Sequence, residues 1–394
     1  MPIFFHNNFD FVGGHRYSSN GGSHNFFREG NSFCPGPNHR ESEPLPPTRQ
    51  DFELSITAET LRISCSGSSF YSGCLAIKQS DAVSDFARVE VVVTKYTHDI
   101  PEITATKIEE EELACIDISA PEETFMQWMT GRTARVDVTI HLPRGTQTDQ
   151  DLPLKLRNFE ADLNTFDVKI DDLMCSVEFE SFDLSSSTGS FRVMGIHAVQ
   201  GRIQAQSGNI SGNFSATSKL SLKAMSGSVN AQSIILKNTE PSKAASLNIN
   251  VMSGTAKAEK ITLLSDLASG GNFSLKVSSN CGTAFCSVIF APVNATIDMK
   301  TSCNSGTSKA ILPSTYEGSF DVQTSIGRPS LDSGNPNELD PQGLDRRRQV
   351  QFRRNVDRFP IGGERSGWVF WSRDGKQRGN AEVRSDTGSA SLGL

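Results

Sequence analysis

The 394-residue chain has no run of apolar residues long enough to span a bilayer as a helix. It has no long stretch with the helical spacing of apolar residues either, which leaves an all-β class. Charged residues are only 21% and hydrophobic residues only 36%, and Ser, Thr, Asn and Gly fill the gap. A thin apolar core between polar faces produces that balance. Histidine is scarce, at 7, and His197 is the only one beyond His141. There is no Walker loop, no dinucleotide fingerprint and no Gly-x-Ser-x-Gly elbow opening a helix, so the glycines are spaced for neither phosphates nor a nucleophile. Eight cysteines, at Cys34, Cys65, Cys74, Cys115, Cys175, Cys281, Cys286 and Cys303, are too scattered for a disulfide framework and read as mostly reduced. The opening residues, with His6, Asn7, Asn8 and Asp10, lack the basic end and apolar run of a signal peptide. Standard secretion is therefore not expected, and a cytoplasmic location is favoured.

What the chain does have is a recurring phrase, an alternating strand followed by Ser/Thr-Gly-Ser/Thr/Asn. It occurs around Gly189, Gly208, Gly227, Gly254, Gly282, Gly306 and finally Gly388, with steps of 19, 19, 27, 28 and 24 residues from Gly189 to Gly306. Seven, five and three positions before Gly227 stand Leu220, Leu222 and Ala224; before Gly254 stand Leu247, Ile249 and Val251. The residues between them are polar, so each segment predicts a strand with one buried and one wet face. The copies before Gly282 and Gly306 drift but keep parity, and Phe320 and Val322 before Gly327 form a degraded copy. One such strand cannot bury its apolar side, whereas stacked copies can. The expected fold is a single-stranded β-solenoid with glycines at the corners. Leu222, Ile249, Val277, Val322 and Val383 should share one inward column, with Cys303 also inward. Ser207, Ser226 and Ser253 should form a hydroxyl ladder in which Cys281 substitutes. The alternative is a β-sandwich of Ser/Gly-rich hairpins.

Along the chain, residues 1–50 mix Asn, Gly, Ser and His with isolated Phe and predict a disordered tail. Residues 51–327 read as the β-rich solenoid, with a short helix expected at Glu122–Met129. Residues 328–366, with Pro329, Pro336, Pro341 and Pro360 among arginines, predict a flexible insertion. Residues 367–394 predict terminal solenoid strands and an aromatic cap around Trp368 and Trp371. The formal charge of −7 hides an asymmetry. Asp99–Asp183 holds 20 acidic and 7 basic residues, whereas Ser185–Arg328 holds 12 basic and 6 acidic. The basic half shows no aromatic interleaving along the sequence, so nucleic acid is not an expected partner.

The strand ending in Leu142-Pro143-Arg144-Gly145, the serial Ser-Gly-Ser/Thr strands and the closing block from Ser366 to Leu394 resemble the adhesin-like β-solenoid domains of unknown function. The closing block looks most like their fungal members. The resemblance covers roughly residues 60–394, with the 1–50 tail and the 328–366 insertion outside it, and implies a repetitive β-fold without established catalytic residues.

Few residues are placed to carry chemistry. Among the acids of the repeats, Asp298 and Asp321 face outward by parity and are expected to stack within reach of Lys300. Outward charges on a wet face explain them. His141 shares a strand face with Asp137 and Thr139, and His98 and His197 read as surface residues. Cys281 and Cys286 lack a second pair for structural zinc, and Cys34 and His39 fall in the tail with His6, His15 and His24. No catalytic, cofactor or metal residue is expected. The sequence points to a non-enzymatic solenoid whose polar faces bind a carbohydrate, a protein or a copy of itself. The alternatives are a self-polymerising scaffold joined by strand pairing at its ends and a carbohydrate-active β-helix enzyme.

Overall fold

The structure, a computed structural model, describes residues 44–66, 71–96, 102–120, 134–144, 152–334, 338–357 and 362–394. The chain divides into two units, residues 1–35 and 36–394, and every described residue lies in the second. Residues 1–43 of the expected 1–50 tail, the helix expected at Glu122–Met129, His98, Cys34 and His39 lie outside the described residues. Residues 48–50, assigned to the tail by composition, open the first strand.

The described residues form a parallel β-solenoid, and their helical content is one 3-10 turn, Arg373–Gln377. The central rungs are β10 (Val177–Thr188), β11 (Phe191–Ser207), β12 (Ile210–Ser226), β13 (Val229–Asn238), β14 (Ala245–Ser265), β15 (Asn272–Phe290) and β16 (Thr296–Ile311). Residues before each corner glycine build a first ladder, and residues after it build a second. Register breaks at Val193/Ile196 and Ala198/Gln200 bend the long strand β11.

Inward columns follow the parity. Leu222, Ile249, Val277, Thr301, Val383 and Val322 stand one above the next, each 0% exposed. Each large aliphatic side chain so buried contributes roughly 1.5–3 kcal/mol. Cys303 is also inward, and among the described residues no cysteine is joined in a disulfide.

The corners work by close backbone contact. A Cβ on Gly282 would sit 2.2 Å from the Gly254 carbonyl oxygen, at φ +134°. One rung on, a Cβ on Gly306 would sit 1.9 Å from the Gly282 oxygen. The carbonyls exposed at these corners receive a donor three residues before the next glycine. Ser279 Oγ donates to Gly254 O at 2.8 Å, Cys303 Sγ to Gly282 O at 3.3 Å and Ser385 Oγ to Gly306 O at 3.0 Å. The drift from aliphatic to hydroxyl or thiol at this position thus has a hydrogen-bonding cause.

The side-chain ladder is displaced from its expected place. Ser207, Ser226 and Ser253 do stack in register but are exposed. The bonded ladder runs through the residue after the glycine. Asn209 N–H donates to Ser190 Oγ at 3.2 Å, Ser228 N–H to Asn209 Oδ1 at 2.9 Å and Thr255 N–H to Ser228 Oγ at 3.3 Å. A corner residue past the glycine can reach the next rung's amide, whereas the one before it points to water.

Both ends depart from sequence order. At one end β6 (Leu113–Ser119) and β7 (Ala134–Arg144) form an outer rung. The earlier rung, β2 (Thr60–Ser66) and β3 (Tyr71–Val83), is inserted between them and β8 (Leu154–Leu163) and β9 (Phe166–Asp172). At the other end the last rung, β21 (Asn380–Thr387) and β22 (Ala390–Gly393), is inserted between β16 and the rung β17 (Gly318–Ile326) and β18 (Pro329–Asp332). Antiparallel strands close both ends. β4 (Phe86–Lys95) lies on β7 and β1 (Thr48–Ser55) on β4, while β5 (Thr104–Glu109) lies on β6. Opposite, β20 (Gly363–Phe370) lies on β17 and β19 (Gln349–Asp357) on β20. The segment 328–366, read from its prolines as flexible, therefore contributes β18, β19 and the start of β20.

Gly282→Ala should destabilise the protein by at least about 3 kcal/mol, because the new Cβ meets backbone at positive φ. Gly393→Ala, whose Cβ would find nothing nearer than 3.8 Å, should stay within about 0.5 kcal/mol. Urea unfolding of the two variants beside the parent measures both.

Candidate functional site

Two polar clefts open on the outer side of the first ladder, one at each junction where an end rung is inserted. The larger, about 570 Å³, is lined from β2, β8, β10 and β11. Outward residues there fall into two columns. Arg62, Glu160, Asp183 and Arg202 form one, and Ser64, Asp162, Ser185 and Gln204 the other.

Most of its charges are held by a neighbour on the next rung. Arg62 Nε donates to Glu160 Oε2 at 2.8 Å, Ser185 Oγ to Asp162 Oδ1 at 2.7 Å and Ser64 Oγ to Asp117 Oδ1 at 2.6 Å. Asp183 is the loosest, with Arg202 Nη1 at 3.6 Å. Burial holds its carboxyl above the usual carboxylate range; Arg202 opposes this, and the Glu160 and Asp162 charges add to it. Arg62 and Glu160 are 98 residues apart and meet only because β2 is inserted beside β8.

The smaller cleft, about 350 Å³, is lined by Gln323, Thr324 and Ser325 of β17, Gly363 and Glu364 of β20, and Arg384, Ser385 and Asp386 beside them. Arg384 Nε lies 2.6 Å from Glu382 Oε1, and Glu364 accepts from Ser366 Oγ at 3.0 Å. Burial also raises the Asp321 carboxyl, against a 2.7 Å hydrogen bond from Gln323 Nε2.

The insertion of β21 corrects the expected carboxylate stack. Asp298 lies in register with Asn380, and Lys300 with Glu382, which it meets at 2.9 Å. Asp321 lies one rung farther, on the other side of Glu382. Asp298 and Asp321 occupy different columns, and neither is the partner of Lys300. Cys281 and Cys286 point to opposite sides of β15, one exposed and one 0% exposed. Among the described residues no group of three or more His, Cys, Asp or Glu side chains could hold a metal ion. On β7, Asp137 is taken by Arg135 Nε at 2.8 Å.

His197 is more than a surface residue. Glu178, His197 and Ser215 stand in register on three rungs, and His197 Nδ1 lies 2.8 Å from Ser215 Oγ. Ser215 is 8% exposed, and its hydroxyl is engaged by His197. The pair is a satisfied polar contact at the edge of the core. No spacing in the sequence marks it, because its members lie on different rungs.

Burial holds the His197 imidazole below the ordinary value of 6.5, while Glu178 opposes this. The unfolded chain therefore binds this proton more readily. Stability is fully present above about pH 6.5 and is lost as the pH falls toward the depressed folded value. His197→Gln should flatten that part of the stability profile while leaving stability at pH 8 within about 1 kcal/mol. Urea midpoints from pH 8 to pH 5 measure it.

Residues 105–280 match the Toastrack DUF4097 family, a domain of unknown function. No curated protein matches the chain. A solved structure of a candidate cell adhesion protein from Clostridium sporogenes aligns at 11% identity and TM-score 0.17, covering 88% of this chain and 99% of that one. A candidate adhesin from Parabacteroides merdae aligns at 13% identity and TM-score 0.18, covering 64% and 95%. Both come from bacteria, and neither carries the fungal part of the resemblance read from residues 366–394. The chain thus contains a Toastrack-like region within its solenoid.

Proposed function

We propose that this protein is a non-enzymatic, adhesin-like binding module that holds a hydroxyl-rich polymer, a polysaccharide, along the outer side of its first ladder. The observation that carries the reading is the continuity of polar side chains between the clefts. From Arg202 the outward column runs over Ser221, which its neighbours cover to 6% exposure, and through Asn248, Lys276, Lys300 and Glu382 to Asp321. The next column runs from Gln204 through Lys223, Asn250, Ser278, Ser302 and Arg384 to Gln323. Six rungs separate Asp183 from Glu382, about 29 Å at the spacing of paired strands.

The two columns contain no aromatic or aliphatic residue. Protein interfaces concentrate aromatics at their centres and are poor in Lys, Glu, Asp and Ser, so a protein partner fits this surface badly. Hydroxyls, amides and ammonium groups at a fixed repeat suit a chain of hydroxyls, with many weak contacts acting together. A catalytic reading finds less support. Glu160, Asp162 and Asp117 each hold a hydrogen bond from a neighbouring rung, so Asp183 lacks a free carboxylate partner of the kind glycoside hydrolysis uses.

End-to-end polymerisation by strand pairing is opposed at both edges. The terminal strand β19 carries a register break between Phe352 and Arg354 and exposed arginines, and β5 carries Lys107. Bulges and edge charges of this kind block pairing with another chain.

Polysaccharides immobilised on a sensor should retain the protein. Replacing Asp183 with Asn and Arg202 with Gln together should weaken retention roughly tenfold, about 1.4 kcal/mol. Retention of proteins but of no polysaccharide would overturn the reading. Release of reducing ends that disappears in Asp183→Asn would replace it with an enzyme.

A further inference from the structure

The C-terminal rung is the last in sequence and lies between two earlier rungs in space. β21 pairs in parallel with β16 on one side and β17 on the other, and β22 likewise with β16 and β18. The slot has a defined chemistry. Ala381, Val383, Ala390 and Leu392 enter it fully buried. At its corner a Cβ on Gly388 would fall 1.9 Å from the Gly306 oxygen, and one on Gly327 would fall 1.7 Å from the Gly388 oxygen. The slot therefore takes a short-apolar strand with a glycine corner, which is what this chain ends in.

The rung is tied to the rest of the chain through residues 371–379, around the 3-10 turn Arg373–Gln377. One buried carboxylate grips both ends of that connection. Glu317, 4% exposed, accepts from Trp371 N at 2.7 Å and Ser372 N at 3.1 Å through Oε1. Its Oε2 accepts from Arg378 Nη1 at 2.6 Å. Glu317 thus fixes the hinge on the cap side and on the rung side together.

We propose that the slot between β16 and β17–β18 accepts the β21–β22 rung of a second copy of this chain in place of its own, and that Glu317 is the latch that keeps the rung at home. An exchanged rung makes the same contacts in the slot as the resident one. The choice between them is set by the hinge and by protein concentration. With the latch closed the chain's own rung is held in position. With it opened, reciprocal exchange links two chains without using the guarded edge strands. This inference is independent of polysaccharide binding.

The test uses the full-length chain. Cys303 and Ser385 are register partners on β16 and β21, one strand spacing apart, within the range a disulfide bridges. Ser385→Cys, alone and combined with Glu317→Gln, is refolded from urea at high concentration, oxidised and sized by light scattering and non-reducing electrophoresis. The expected result is a dimer fraction roughly tenfold higher with Glu317→Gln, joined by a disulfide between the two chains. A folded, monomeric Glu317→Gln variant overturns the proposal. So does a dimer whose disulfide lies within each chain, since that dimer uses another surface. Should Glu317→Gln fail to fold, the Ser385→Cys chain with its latch intact is refolded from partial denaturation. An interchain disulfide there supports exchange; if none forms, Arg378→Gln, which frees Glu317 Oε2 from the rung side, replaces Glu317→Gln, and a folded, monomeric Arg378→Gln chain overturns the proposal.

Discussion

The close passage of one glycine backbone over the next is the constraint on which the rest of this structure depends. At Gly208, Gly227, Gly254, Gly282, Gly306, Gly388 and Gly327 an added Cβ would lie 1.7–2.2 Å from the oxygen of the glycine on the adjacent rung. That contact sets the turn between the two ladders and keeps successive rungs in register. With register set, parity places the aliphatic column through Leu222, Ile249, Val277, Val383 and Val322 on the inside. The buried hydroxyls at Ser279 and Ser385 complete the corner by bonding carbonyls that the turn takes out of the ladder. A corner made this way excludes side chains, so its polar groups have to be satisfied from the neighbouring strand.

Much of this was legible in the sequence, and the boundary of legibility is physical. The inward column through Leu222, Ile249, Val277, Val383 and Val322 could be read because side-chain direction in a strand is a local property. Their order could not, because Val383 lies before Val322 in space and after it in sequence. Which strand sits beside which is decided by long-range pairing, and no local pattern encodes it. The candidate clefts were hidden for the same reason. Arg62 and Glu160 belong to segments that read as unrelated strands, and regular spacing, the one guide to neighbouring carboxylates, exists only among the repeats. The ladder of hydroxyls lies two residues past its expected place, because both flanks of the glycine carry similar residues and only the turn distinguishes them.

The two ends of the solenoid use one solution. A rung from the end of the chain is drawn inward, an outer rung covers it, and antiparallel strands finish the edge. The arrangement joins distant segments, and at each joint the outer side of the first ladder becomes concave and charged. Closing the stack and building clefts are thus consequences of one topological choice. The buried Glu317 belongs to the same choice, since a rung that returns into the stack needs its connection held.

A stack with both ends finished in this way has a particular history open to it. Each central rung touches only its neighbours, so a unit of 19 residues such as that from Gly208 to Gly227 could be duplicated or lost without disturbing either terminus. A rung added beside the inserted ones would break their pairing on one side. Variation in the number of rungs within such a lineage should therefore be confined to the middle of the stack, where it would lengthen the polar track and leave the clefts at its two ends unchanged.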